Sequence, residues 1–218
     1  MEKLKDLNDL KLGFDKHWPL KDKDSYHLIF DYLQKINFCI QDINTEIKNN
    51  DEYKMKDIIF ILVQVTWIQD SLDAIKKLYK EDVTGNYRYS LEEKLRAYKS
   101  YIRAMRSFMV AHPLNTNRHE EYGFDGDLIC MDIGKPNILL PLWKTKNIYH
   151  IGIDGLENIC VKTDKLFMSV YSHKNDKSRY NKFIGFSLDD IIDAARIYID
   201  ELYEFEKYMR KQKKAFYQ

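Results

Sequence analysis

The 218-residue chain carries only three cysteines, Cys39, Cys130 and Cys160, far apart and with no CxxC pair. A reducing compartment is the simple reading, and the spacing speaks against a zinc site built from thiolates. Breakers are scarce too, with 8 glycines and 4 prolines, which favours long helices. An excess of charge of one sign is missing: 35 Lys and Arg against 34 Asp and Glu leave a net charge of +1. No global field therefore holds nucleic acid or an anionic membrane, and any such binding must be local. The longest apolar stretch, IIFILVQVTWI at 58–68, is too short and too interrupted to cross a bilayer. The start, MEKLKDLNDLKLGFDKHW, lacks the apolar run of a signal peptide, so a cytoplasmic location is expected. No P-loop, GxGxxG, GxSxG, HExxH or EF-hand pattern occurs, which removes the common nucleotide-dependent and serine-hydrolase readings.

What the chain does have is 44% hydrophobic residues, ample for a core, and 32% charged residues, enough for a solvated surface. Apolar residues recur at steps of three and four in four segments. The first runs Tyr26, Phe30, Leu33, Ile36, Ile40, Ile43, Ile47 and the second Ile58, Ile61, Val65, Ile68, Leu72, Ile75, Tyr79. The third runs Leu91, Leu95, Tyr98, Ile102, Met105, Met109 and the fourth Leu188, Ile191, Ala195, Tyr198, Leu202, Phe205, Met209. Ser90-Leu-Glu-Glu93 predicts a capping box, and Ser187-Leu-Asp-Asp190 resembles one. Asn49-Asn50-Asp51 and Gly85-Asn86 break the chain between the first three helices.

Residues 113–186 differ, holding six of the eight glycines and three of the four prolines. Short β-prone runs recur there at 128–133, 137–143, 148–153 and 167–171, separated by turn-like pieces. A small antiparallel sheet is expected, although KTDKLFMSVYSH also suits a short helix. The resulting expectation is a mainly α protein: a four-helix bundle with a β-rich insertion between helices three and four. Residues 1–112 supply the N-terminal helices, 113–186 the insertion and 187–218 the closing helix.

The third helix bears a second stripe, Arg96, Lys99, Arg103 and Arg106, spaced three, four and three apart and so sharing one face. The fourth helix is acidic between 189 and 206. Either these two faces pair or are solvated, or the basic one is a ridge for RNA, since Arg suits bidentate phosphate contacts. His112 directly precedes Pro113, so the helix should end there. A histidine at a helix C-terminus beside arginines is either a cap or core residue, or an acid–base group for a phosphodiester. Asn115, Asn117, Arg118 and His119 follow in a polar loop. His119 is a candidate second acid–base group, and the other three, with Arg96, Lys99 and Arg103, are candidate RNA contacts. His112, His119, Glu120 and Glu121 match no standard metal-ligand spacing, so no metal or cofactor is expected. His17, His27, His150 and His173 read as isolated, structural or surface residues. Lys207, Arg210, Lys211, Lys213 and Lys214 make the tail either a second foot for RNA or a solvated helix end.

Arg106-Ser-Phe-Met-Val-Ala-His112, an R-x5-H near the end of a helix in a helical bundle, resembles the HEPN superfamily. The likeness covers roughly residues 24–112 and 187–212 by architecture. The large insertion lies outside the family's core pattern, and Ser107 stands where Asn or another polar residue is frequent. The resemblance implies an all-α bundle that dimerises, with Arg and His of two protomers converging at the two-fold. It implies metal-independent RNA cleavage through attack of the 2′-hydroxyl, with His112 as acid or base and Arg106 stabilising phosphate charge. It also implies a toxin or phage-defence setting, in which a cognate inhibitor protein is a natural partner and a membrane is not. Some members only bind RNA or nucleotides, so a non-catalytic binding or protein-interaction module is the alternative.

Overall fold

Helix-period stripes dominate the sequence, and helices account for 72% of the described residues in the computed structural model. The structure describes residues 2–10, 20–22, 24–49, 53–111, 128–130, 148–157, 166–171 and 182–216. The helices are α1 (Ser25–Asn49), α2 (Met55–Leu78), the short α3 (Glu81–Thr84), α4 (Glu92–Arg106) and α5 (Leu188–Phe216). A π-helical turn, Ser107–Ala111, continues α4. The strands are β1 (Leu128–Cys130), β2 (Ile148–Gly152), β3 (Gly155–Glu157), β4 (Leu166–Tyr171) and β5 (Lys182–Phe186). Neither α3 nor the π turn is foreshadowed by the periodicity.

The contacts divide the chain into two units. The first comprises Met1–Asn50, Val63–Leu95 and Ile192–Gln218. Its core is built from the predicted stripes: Leu33, Ile36, Ile40 and Ile43 of α1, Val65, Ile68, Leu72 and Ile75 of α2, and Tyr198, Leu202, Phe205 and Met209 of α5. Burying each such side chain stabilises the fold by about 1.5–3 kcal/mol before chain entropy is counted. Phe30 departs from its predicted stripe and is 51% exposed, because the buried row of α1 begins at Ile29 instead. Leu91 is likewise 47% exposed, since it precedes the first turn of α4. The Phe205 ring meets Tyr79 and Tyr87 edge-on, with centroids 5.4 and 5.1 Å away. Asn44 ties the N-terminal segment down, accepting from the Leu4 amide at 2.7 Å and donating to its carbonyl at 2.9 Å.

Capping at Ser90 differs from expectation. Its hydroxyl donates to Glu204 at 2.5 Å and its amide to the same carboxylate at 3.1 Å. A charged acceptor outcompetes the neutral capping geometry. Asp22 caps α1 by accepting from the Ser25 amide and hydroxyl at 2.7 and 2.9 Å. Those bonds, the amide one foremost, hold its carboxyl below the usual value.

The second unit comprises Asp51–Leu62 and Arg96–Ile191. Its sheet has strand order β1-β4-β5-β2-β3. The pairs β1–β4, β4–β5 and β2–β3 are antiparallel, but β2–β5 is parallel, which corrects the purely antiparallel expectation. β2 and β5 are not sequence neighbours, so their pairing needs a crossover rather than a hairpin. β4 settles the ambiguous 167–171 segment as a strand. β3 falls on DGLEN, which reads as turn material because of Gly155, and β5 falls on a run that the β-prone segments do not include. Gly155 has φ of 107°, a conformation that favours glycine, and it closes the β2–β3 hairpin opposite Gly152. The buried face carries Met168 and Ile184, paired across β4–β5, with Ile151 and Phe186. Ser187 caps α5 as expected, its hydroxyl oxygen accepting from the Asp189 amide at 3.2 Å. The β-prone run at 137–143 lies outside the described residues.

Among the described residues one helix, α2, is long and apolar enough to cross a membrane, and 56% of that apolar window is buried inside the protein. The helix extends beyond the apolar stretch 58–68 at both ends, and the polar Gln64, Thr66 and Ser71 are buried within it.

Candidate nucleic-acid interface

Helix α4 is an embedded helix with one open edge. Tyr98, Tyr101, Ile102, Ala104, Met105, Phe108 and Met109, across the helix and its π turn, are all buried. Arg96, Arg103 and Arg106 are exposed and Lys99 is half-buried. At about 100° per residue these four side chains fall within an arc of about 80°. At about 1.5 Å rise per residue the row is about 15 Å long. The structure therefore brings four predicted site residues onto one ridge. Arg103 and Arg106 have no hydrogen-bond or ion-pair partner among the described residues, while Arg96 and Lys99 do make further interactions.

Arg106 is the last residue of the α-helical part, and the π turn begins at Ser107. A π turn bonds i to i+5 and is uncommon; such turns are frequent at functional sites. Phe108 and Met109 anchor it in the core and Val110 faces out. Ser107 is buried, and its hydroxyl bonds to no described residue. Tyr101 donates to the Ser187 carbonyl at 3.4 Å, fixing α4 against the cap of α5 inside the same unit. Periodicity could not announce the π turn, because the buried positions keep their helical spacing through Met109. The remaining site candidates, His112, Asn115, Asn117, Arg118 and His119, lie outside the described residues.

Four acidic residues of α5 have partners of their own. Glu201 pairs with Lys76 of α2, Glu206 with Arg210, Asp193 with Arg196, and Glu204 with Ser90. Glu201 is only 2% exposed and Lys76 22% by side chain. Around them burial, with nearby carboxylates second, raises Tyr198 and Tyr87 far above the ordinary phenol range. Tyr89 is pushed up to about 12 for the same reasons. Burial pushes the Cys39 thiol up to about 11, which leaves it unreactive. These groups build the core and offer no exposed acid or base.

Among the described residues no three His, Cys, Asp or Glu side chains converge as a metal site. His27 is exposed and lies edge-on to Tyr26 at 5.3 Å. His150 is less isolated than the sequence suggests. Its Nε2 and the Asp190 Oδ2 lie 2.9 and 3.8 Å from where a Cβ on Gly152 would sit. No sequence pattern links residues 150 and 190; the sheet and the first turn of α5 bring them together.

Compared with known proteins, the chain matches no family model, no curated protein sequence and no solved structure.

Proposed function

We propose that the protein is a metal-independent endoribonuclease of HEPN type, in which the helices form a four-helix bundle and residues 113–186 are a β-rich insertion. The carrying observation is Arg106: an exposed guanidinium at the end of a cationic ridge, where α4 gives way to a π turn six residues before His112. In this reading one histidine, His112 or His119, takes the proton from the ribose 2′-hydroxyl. The 2′-oxygen attacks the adjacent phosphorus, the P–O5′ bond breaks, and the other histidine returns a proton to the leaving 5′-oxygen. The products are a 2′,3′-cyclic phosphate and a 5′-hydroxyl. Arg106 stabilises charge building on the non-bridging oxygens. The protein acts in the cytoplasm as a homodimer whose two-fold assembles the cleft, in a toxin or phage-defence setting with a cognate inhibitor protein.

The test is cleavage of structured RNA and tRNA in EDTA, with sizes in solution measured on the same samples. His112→Ala should lose about 10²–10⁴-fold in rate and Arg106→Ala about 10²–10³-fold, with the dimer retained. RNA binding without cleavage by folded wild type would replace this reading with a non-catalytic binding module. Neither binding nor cleavage would leave a protein-interaction module.

A further inference from the structure

We infer that the α4 ridge holds RNA by its phosphate backbone without reading the bases, a step that rests on the RNA reading above but not on catalysis. The argument begins with how little of α4 is accessible. Tyr98, Ile102, Met105 and Met109 are buried on one side of the ridge and Tyr101, Ala104 and Phe108 on the other. A helix held on both sides cannot enter a groove as a recognition helix does, because only one line of side chains protrudes. The deep, narrow major groove of A-form RNA would exclude it in any case. Base edges inside a duplex are therefore out of reach, and the outermost atoms of the nucleic acid, the phosphates, are within it.

The ridge chemistry agrees. Three of its four cations are Arg, whose planar guanidinium takes phosphate oxygens in pairs. No aromatic side chain shares the exposed positions 96, 100, 103, 106 and 110 or the half-buried position 99, so the ridge itself has no platform on which bases could stack. A membrane surface fits worse than a strand. Interfacial helices bury an apolar face among acyl chains, whereas the apolar face of α4 is committed to the protein core.

The experiment measures binding of equal-length U, A and C homopolymers and an RNA duplex by fluorescence anisotropy across a salt series. It compares wild type, Arg103→Gln, Arg96→Gln/Arg103→Gln, and Lys207→Gln/Lys211→Gln on the exposed end of α5. Circular dichroism confirms folding of each. The expected result is affinity for the three homopolymers agreeing within about threefold, as base-blind contacts require. The slope of log affinity against log salt on single strands should fall by about 0.7 for each ridge cation removed. The α5 variant should keep the wild-type slope. The inference is overturned if the ridge double variant keeps the wild-type affinity and slope, if the α5 variant loses as much, or if the homopolymers differ more than about tenfold. In those cases wild type still binds RNA and the RNA reading stands. If folded wild type binds no RNA, both fall together.

Discussion

Helices α4 and α5 are both highly charged, and they treat their charges in opposite ways. The glutamates of α5 are engaged: Glu201 is buried against Lys76, Glu206 against Arg210, and Glu204 receives both groups of Ser90, while Asp189 and Asp200 are exposed. On α4 the cations stand outward in a row, and Arg103 and Arg106 bond to no described residue. Charge that is buried must be paired, because desolvation of an isolated ion costs several kcal/mol. Charge left at the surface contributes little to stability and is available to a ligand. The comparison predicts that the two helices separate cleanly: α5 substitutions act on folding, α4 substitutions on binding.

The largest effect should come from the buried pair. Lys76→Met leaves the Glu201 carboxylate buried without its ammonium and should cost about 3–5 kcal/mol in urea unfolding. The double variant Lys76→Met/Glu201→Leu removes both ions and should recover most of that loss, since apolar residues of similar volume replace such pairs at little cost. A single variant within about 0.5 kcal/mol of wild type would show that the pair does not hold α2 to α5.

Next come the caps. Ser187→Ala removes the acceptor for the Asp189 amide and should cost about 1 kcal/mol. Ser90→Ala should cost less, because its amide keeps its bond to Glu204 when the hydroxyl is lost. Equal losses at the two serines would mean that Ser90 caps α4 in solution. At Asp22 the effect depends on pH. Its carboxyl is lowered below 3.8 by the Ser25 bonds, so the folded state favours the ionised form. That contribution is present above the unfolded value and fades as pH falls through the lowered one. Asp22→Asn should therefore differ most from wild type near neutral pH, with the two curves converging in acid. A gap that widens in acid would contradict the assignment.

Much of the helical architecture is legible in the sequence, because a buried face repeats over five or more turns. Every member of the fourth stripe, from Leu188 to Met209, is buried. Period-two signals are weaker over three to six residues, and β3 begins at a glycine that reads as a turn. Partnership across the chain is not legible: nothing local says that Ser90 prefers Glu204 to its own helix, or that Asp190 and His150 both come to lie beside Gly152. The ridge spacing is readable because residues three and four apart share a face. Its exposure depends on what covers the other faces of α4, and the π turn depends on backbone bonding that apolar spacing does not encode.

The smallest stability effect is the sharpest use of the comparison. Arg103→Gln keeps most of the side-chain stem and removes a charge that no described residue opposes. Its unfolding free energy should stay within about 0.5 kcal/mol of wild type, in contrast to the several kcal/mol expected at Lys76. The same substitution is the one expected to weaken RNA binding and flatten its salt dependence. A residue that is neutral for folding and costly for binding has been placed for a ligand. If Arg103→Gln instead unfolds the protein by more than about 1 kcal/mol, its guanidinium belongs to the fold, and the contrast between α4 and α5 fails at its central residue.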